Sequence, residues 1–179
     1  GDDTALMGAG DDTFVWNPGD DNDTLEGQDG FDTMLFNGAG AAENVDISAN
    51  GGRVIFSRNV ANVVMDNNDV ERMEFNALGG VDNIVVDDLS GTDTTEVAIN
   101  LAGPDGAGDG QADSVTANAT NGDDVAIVFG SGSDVQVLGL AAQIIVSGAE
   151  GADRLLINGL AGDDVIEASG VQAGSMSLV

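Results

Sequence analysis

The chain has 179 residues, enough for one domain with a real core or two small ones. It carries 32 acidic residues against 4 basic ones, a net charge of −28, and contains no histidine, cysteine, tyrosine or lysine. Disulfides, histidine zinc sites, Ser-His-Asp and Cys-His nucleophiles, Schiff-base lysines and lysine-ended phosphate loops are thereby excluded.

From Gly1 to Gly38 one unit repeats. Glycine, any residue, aspartate, any residue and a bulky apolar residue recur with Asp3, Asp12, Asp23 and Asp32 in the aspartate place, at steps of nine, eleven and nine residues. Short apolar strands such as Thr13-Phe14-Val15 alternate with turns of glycine and aspartate. Gly8, Gly10, Gly27 and Gly30 permit the backbone angles that point carbonyl oxygens at a common centre. Carbonyls and carboxylates converging on one point form a hard-oxygen cage suited to Ca²⁺. A nine-residue unit cannot bury its own apolar face, so the repeat predicts a solenoid.

These residues resemble the haemolysin-type, or repeats-in-toxin, calcium-binding nonapeptides, whose consensus is Gly-Gly-X-Gly-X-Asp-X-(bulky apolar)-X. The resemblance implies a right-handed parallel β-roll, two nonapeptides to a turn, with Ca²⁺ held between successive turns. Carried onto this sequence, Asp3 faces Asp23 on one side and Asp12 faces Asp32 on the other, with carbonyls of Gly8, Gly10, Gly19, Gly27 and Gly30 as the remaining ligands. Met7 and Gln28 stand where the family has glycine, Asp21 replaces another, and the Trp16-Asn17 insertion lengthens one step.

Beyond Gly38 the nonapeptides give way to short alternating strands about every ten residues, among them Val45-Asp46-Ile47, Val54-Ile55-Phe56, Val63-Val64-Met65 and Met73-Glu74-Phe75. Asn50-Gly51-Gly52 reads as a tight turn. Further strands follow to Val165–Ala168, and no window carries a helical stripe. The turns keep a Gly-X-Asp core, which makes Asp82, Asp124, Asp134, Asp153 and Asp164 further metal candidates. Residues 87–96 and 102–112, poor in apolar side chains, read as projecting loops. The expected architecture is all-β: a right-handed parallel β-solenoid, with a calcium-binding β-roll over 1–40 continuing as a degenerate, β-helix-like stack over 41–179.

A charge of −28 repels itself in any compact state, so folding calls for cations. The expected function is a Ca²⁺-binding structural module of a secreted bacterial protein, folding outside the cell where calcium reaches roughly 0.1–1 mM. The chain opens inside a repeat without an initiator methionine and reads as a segment of something longer. Two alternatives share the fold: a self-assembling surface-layer, biofilm, filament or adhesin module stacking through its solenoid ends, and a carbohydrate-active β-helix enzyme. The second would draw on Arg72 with Glu71 and Glu74, or on Arg53 with Arg58, but the charges alternating with Val70, Met73 and Phe75 read more simply as the solvated face of a strand, and no enzyme is expected. With only Arg53, Arg58, Arg72 and Arg154 as cations, nucleic acid and anionic membranes are disfavoured partners. No apolar run reaches the ~20 residues of a membrane span.

Overall fold

The computed structural model describes residues 1–172 and 174–179, and over them the chain is all-β in two mixed sheets. Its strands are β1 (Asp3–Ala9), β2 (Thr13–Trp16), β3 (Asp23–Asp29), β4 (Thr33–Asn37), β5 (Asn44–Asn50), β6 (Arg53–Arg58), β7 (Val63–Asn68), β8 (Arg72–Asn76), β9 (Asn83–Val86), β10 (Glu96–Asn100), β11 (Ser114–Asn118), β12 (Val125–Ser131), β13 (Asp134–Leu138), β14 (Gln143–Ser147), β15 (Arg154–Asn158), β16 (Val165–Val171) and β17 (Ser177–Leu178). One 3₁₀ turn, Val60–Asn62, is the only helical element among the described residues, and none is long and apolar enough to cross a membrane.

Outside the runs β5–β7 and β12–β14, each short strand is followed by a connection that delivers the chain to the opposite sheet, so β1, β3, β9, β11, β15 and β17 lie in one sheet and β2, β4, β8, β10 and β16 in the other. Strands of the first circuits pair in parallel without slip: Asp3 opposite Asp23, Phe14 opposite Met34, Met34 opposite Met73. Period-two side chains turn one face of every strand inward. Leu25, Met34, Ile47, Met65, Met73, Ile84 and Ile99 are all buried, and one apolar cluster runs from Trp16 to Met176.

The sheets are not parallel throughout, which corrects the all-parallel expectation. After β4 the chain skips two strand positions to β5, then doubles back through β6 and β7 to fill them; after β11 it skips to β12 and backfills through β13 and β14. The cause is loop length. Gly51-Gly52 and Gly132-Ser133 leave two residues between paired strands, enough for an antiparallel hairpin and too few for a crossover. Gly51 (φ 68°) and Gly132 (φ 63°) supply the left-handed backbone that such turns need.

The thickest part of the core is aromatic. Trp16 is 1% exposed and lies flat on Phe36, centroids 3.9 Å apart, while its Nε1 donates to the Asp21 carbonyl at 2.7 Å. Phe56 and Phe75 complete the cluster. Trp16 is thus a core residue, unavailable to an external ligand. Outside, amides stack in register: Asn37 Nδ2 donates to Asn17, Asn76 to Asn37 and Asn100 to Asn76 at 2.9–3.3 Å. The loops over 87–95 and 101–113 interrupt the coil where the sequence anticipates them, the second closed by a bridge from Ala102 to Gly108.

Candidate metal centre

Strands β2, β4, β5, β8, β9, β11, β12, β15 and β16 each begin just after an acidic residue and β1 and β3 on one, and these acids form columns along the corners. In the first circuits Asp23 Oδ1 accepts the Asp3 backbone N–H at 2.9 Å and Asp32 Oδ1 accepts that of Asp12 at 2.8 Å. The second column continues to Glu71, whose carboxylate accepts the Asp32 N–H at 2.6 Å. A third column runs Glu43, Asp82, Asp113, Asp153, each N–H donating to the next acid's Oδ1 at 2.7–2.9 Å. Asp124 donates likewise to Asp164 at 3.0 Å. One carboxylate oxygen of each accepting acid, Asp23, Asp32, Glu71, Asp82, Asp113, Asp153 and Asp164, is therefore committed to joining adjacent circuits.

The second oxygen finds room beside a glycine five residues earlier. A Cβ on Gly27 would lie 2.6 Å from Asp32 Oδ2 and 1.6 Å from the Asp69 carbonyl oxygen. On Gly38 it would lie 2.4 Å from Glu43 Oε2 and 2.9 Å from the carbonyl oxygens of Ala77 and Asn76; on Gly159, 2.4 Å from Asp164 Oδ2. Beside Gly27 and Gly38 two or more oxygens converge, and they are hard donors only. Asp32 Oδ2 and Asp82 Oδ2 are buried with no hydrogen-bond partner, a state that costs about 1–3 kcal/mol or more for a charged group unless a cation or proton relieves it. Among the described residues no three carboxylates converge on one point, so a cation here would draw chiefly on backbone carbonyls with one or two carboxylate oxygens.

The glycines of the first repeats line these turns. Gly8 (φ 105°), Gly10 (φ 115°) and Gly30 (φ 156°) take angles unfavourable to other residues, Gly10 N–H donates to the Asp29 carbonyl at 2.7 Å, and a Cβ on Gly30 would strike the Gly10 carbonyl at 2.1 Å. Gly19 (φ 111°) shapes the opposite corner. Asp21 and Gln28, standing where the nonapeptide consensus has glycine, adopt φ of 66° and 77°, so the backbone shape survives the substitutions.

Four of the five further candidates, Asp82, Asp124, Asp153 and Asp164, sit in the columns. Asp134 does not: it opens β13 beside the Gly132-Ser133 hairpin, exposed and opposite Ser131, because its Gly-X-Asp core makes a reversal rather than a coil corner. Glu43, Glu71 and Asp113 hold column positions that the repeat pattern did not single out as ligands. Glutamate hid two of them; the available signal was an acid directly before a strand.

Burial pushes the Asp82 carboxyl up to about 7; the N–H of Glu43 opposes this, and the charges of Asp113, Glu43 and Asp109 add to it. Burial raises Asp113 to about 6, the N–H of Asp82 opposing and Asp153, Asp109 and Glu150 adding. Glu43 and Asp153 are also raised, again chiefly by burial. Because these folded-state values lie above the ordinary value near 4, ionisation disfavours the folded state. Their contribution to stability is full below about pH 4 and is lost as the pH rises through 6 and 7. Calcium-free protein, expanded at pH 7.5, is therefore expected to gain β signal in circular dichroism at pH 5. With saturating Ca²⁺ the urea midpoint is expected to be higher at pH 7.5 than at pH 5, because protons and cation compete for the same oxygens. A β signal of calcium-free protein that falls on acidification would contradict the burial argument.

Three of the four arginines are held in ion pairs: Arg53 with Glu26 and Asp66, Arg72 with Glu74 and Glu96, Arg58 with Glu43. Compared with family models, curated proteins and solved structures, the chain matches none.

Proposed function

We propose that this chain is a Ca²⁺-binding structural module of a secreted bacterial protein, a right-handed β-roll or solenoid whose folding is coupled to metal binding. The observation that carries the reading is the unpartnered, fully buried Asp32 Oδ2, set beside Gly27 and the Asp69 carbonyl in a turn whose sequence resembles the calcium-binding nonapeptides. Asp32 with backbone carbonyls of the Gly27–Gly30 and Gly8–Gly10 turns would hold one ion, and Asp82 with the neighbouring turn another. Bound calcium supplies positive charge: each ion removes two units from −28 and relieves carboxylates that the columns bury. At cytoplasmic calcium the chain stays expanded; at the roughly 0.1–1 mM found outside cells it folds.

Asp32→Asn keeps the shape of the side chain and the acceptor for the Asp12 N–H while removing the charge. It is expected to weaken the tightest calorimetric Ca²⁺ site about tenfold or more, since affinity in such sites follows the ligands' charge count. Asp134→Asn, outside the columns, is expected to leave the isotherm unchanged. Identical isotherms for wild type and Asp32→Asn would remove Asp32 from the site.

A further inference from the structure

The outer face of the second meander carries a groove of about 420 Å³ that the corner chemistry does not use. Its wall is Phe129, which points out from β12 and is 38% exposed, with Gln136 directly across the strand pair. On the other side β16 slips register against β12 between Ile127 and Phe129, and Gly170 then falls opposite Phe129. Bulges of this kind re-aim side chains. A Cβ on Gly170 would lie 2.9 Å from Phe129 Cβ, so glycine there keeps the flank of the ring bare.

The rim is polar and almost uncharged. Gln136 Oε1 accepts from Gln143 at 3.1 Å, and Gln172 Oε1 accepts from Ser131 Oγ at 3.2 Å, so the Nε2 amides of both groove-lining glutamines remain available as donors. Gln172 is anchored through its N–H to the Gly130 carbonyl. Asp134, exposed at the hairpin, adds one acceptor. An uncovered aromatic ring flanked by amide donors and a carboxylate matches the chemistry of a pyranose, whose C–H faces are apolar and whose hydroxyls both donate and accept.

We propose that this groove binds a neutral polysaccharide, one sugar ring stacking on Phe129 while Gln136, Gln172 and Asp134 take its hydroxyls. Charge selects the occupant. A polyanion, or a second copy of a chain at −28, meets repulsion across the whole surface, whereas a neutral glycan meets none.

The test is native affinity electrophoresis in 1 mM Ca²⁺, in gels containing dextran, hydroxyethylcellulose or mixed-linkage β-glucan, with alginate as the acidic comparison. At least one neutral polymer is expected to retard the protein. Phe129→Ala should weaken that retardation about tenfold or more and Gln172→Ala several-fold, both with unchanged circular dichroism, while Val15→Ala, an exposed valine on β2, should change nothing. Three outcomes overturn the proposal: no retardation in any neutral gel, retardation by alginate alone, or retardation that survives both groove substitutions. A dimer seen in sedimentation and dissolved by Phe129→Ala would assign the groove to a second copy instead. The groove is independent of the calcium turns, so its failure leaves the folding proposal standing.

Discussion

Arg58→Ala is expected to destabilise the folded protein by about 3–5 kcal/mol, the loss typical of breaking a buried ion pair from one side. Arg58 is 4% exposed and Glu43 1%, and the guanidinium donates through Nε to Glu43 Oε1 at 2.5 Å. Its other face lies over the rings of Trp16 and Phe36, 5.6 and 5.7 Å from their centroids, so the same side chain closes the aromatic core. Removing it strands a carboxylate whose proton affinity burial already raises against the opposing influence of Arg58. The variant's Glu43 then takes up a proton more readily, and the deficit in urea unfolding should shrink between pH 7.5 and pH 5. A deficit under about 1 kcal/mol would place Arg58 with surface pairs such as Arg72–Glu74, which contribute little.

Gly27→Ala is expected to lose about 3 kcal/mol or more in the presence of Ca²⁺, together with the tightest calcium site. The reason is space rather than backbone angle: the added methyl would occupy the point 1.6 Å from the Asp69 carbonyl oxygen and 2.6 Å from Asp32 Oδ2. Neither oxygen is at the end of a free side chain. Asp69 O belongs to the next circuit's turn, and Asp32 is held by the hydrogen bond from Asp12. The circuits must part or the carboxylate must swing away, and overpacking of this kind costs about 1–3 kcal/mol before any loss of metal. Gly8→Ala makes the comparison, since its Cβ would meet nothing within 4 Å and only the φ of 105° is strained. Urea unfolding at saturating and at half-saturating Ca²⁺ separates the two contributions: Gly8→Ala should lose similar amounts in both conditions, Gly27→Ala more at saturation. Equal losses for Gly27→Ala in both would show that the space beside Gly27 serves packing alone.

Strand positions were legible because period-two alternation of Val, Ile, Phe and Met against polar residues is a local signal, and it held in β5, β6, β7 and β8. The facing of Asp3 with Asp23 and of Asp12 with Asp32 followed from steps of nine and eleven residues that add to one circuit. The meanders were not legible as such. Val45–Ile47 and Val54–Phe56 look alike whether the next strand runs parallel or antiparallel; only the two-residue turn decides, and its consequence is the skip that leaves room for β6 and β7. That skip lengthens the spacing between column neighbours from 20 residues (Asp12 to Asp32) to 39 (Asp32 to Glu71, and Glu43 to Asp82), beyond the reach of a nonapeptide count. The burial of Arg58 was not legible for a related reason: the pairing that places it against Trp16 comes from β6 turning back over the first circuits. The groove around Phe129 depends on a register slip between strands 40 residues apart, which no local pattern records.

The measurement that tests the account most directly is far-ultraviolet circular dichroism of chelator-treated protein, titrated with Ca²⁺ and in parallel with Mg²⁺. Metal-coupled folding gives a coil spectrum that converts to β with a midpoint at roughly 0.1–1 mM Ca²⁺, no conversion with Mg²⁺ at the same concentration, and a weaker response in Asp12→Ala and Asp23→Ala. A β spectrum that chelation leaves unchanged would contradict it: the apolar stack would then fold alone, and the acidic columns would be hydrogen-bonding corners without a metal.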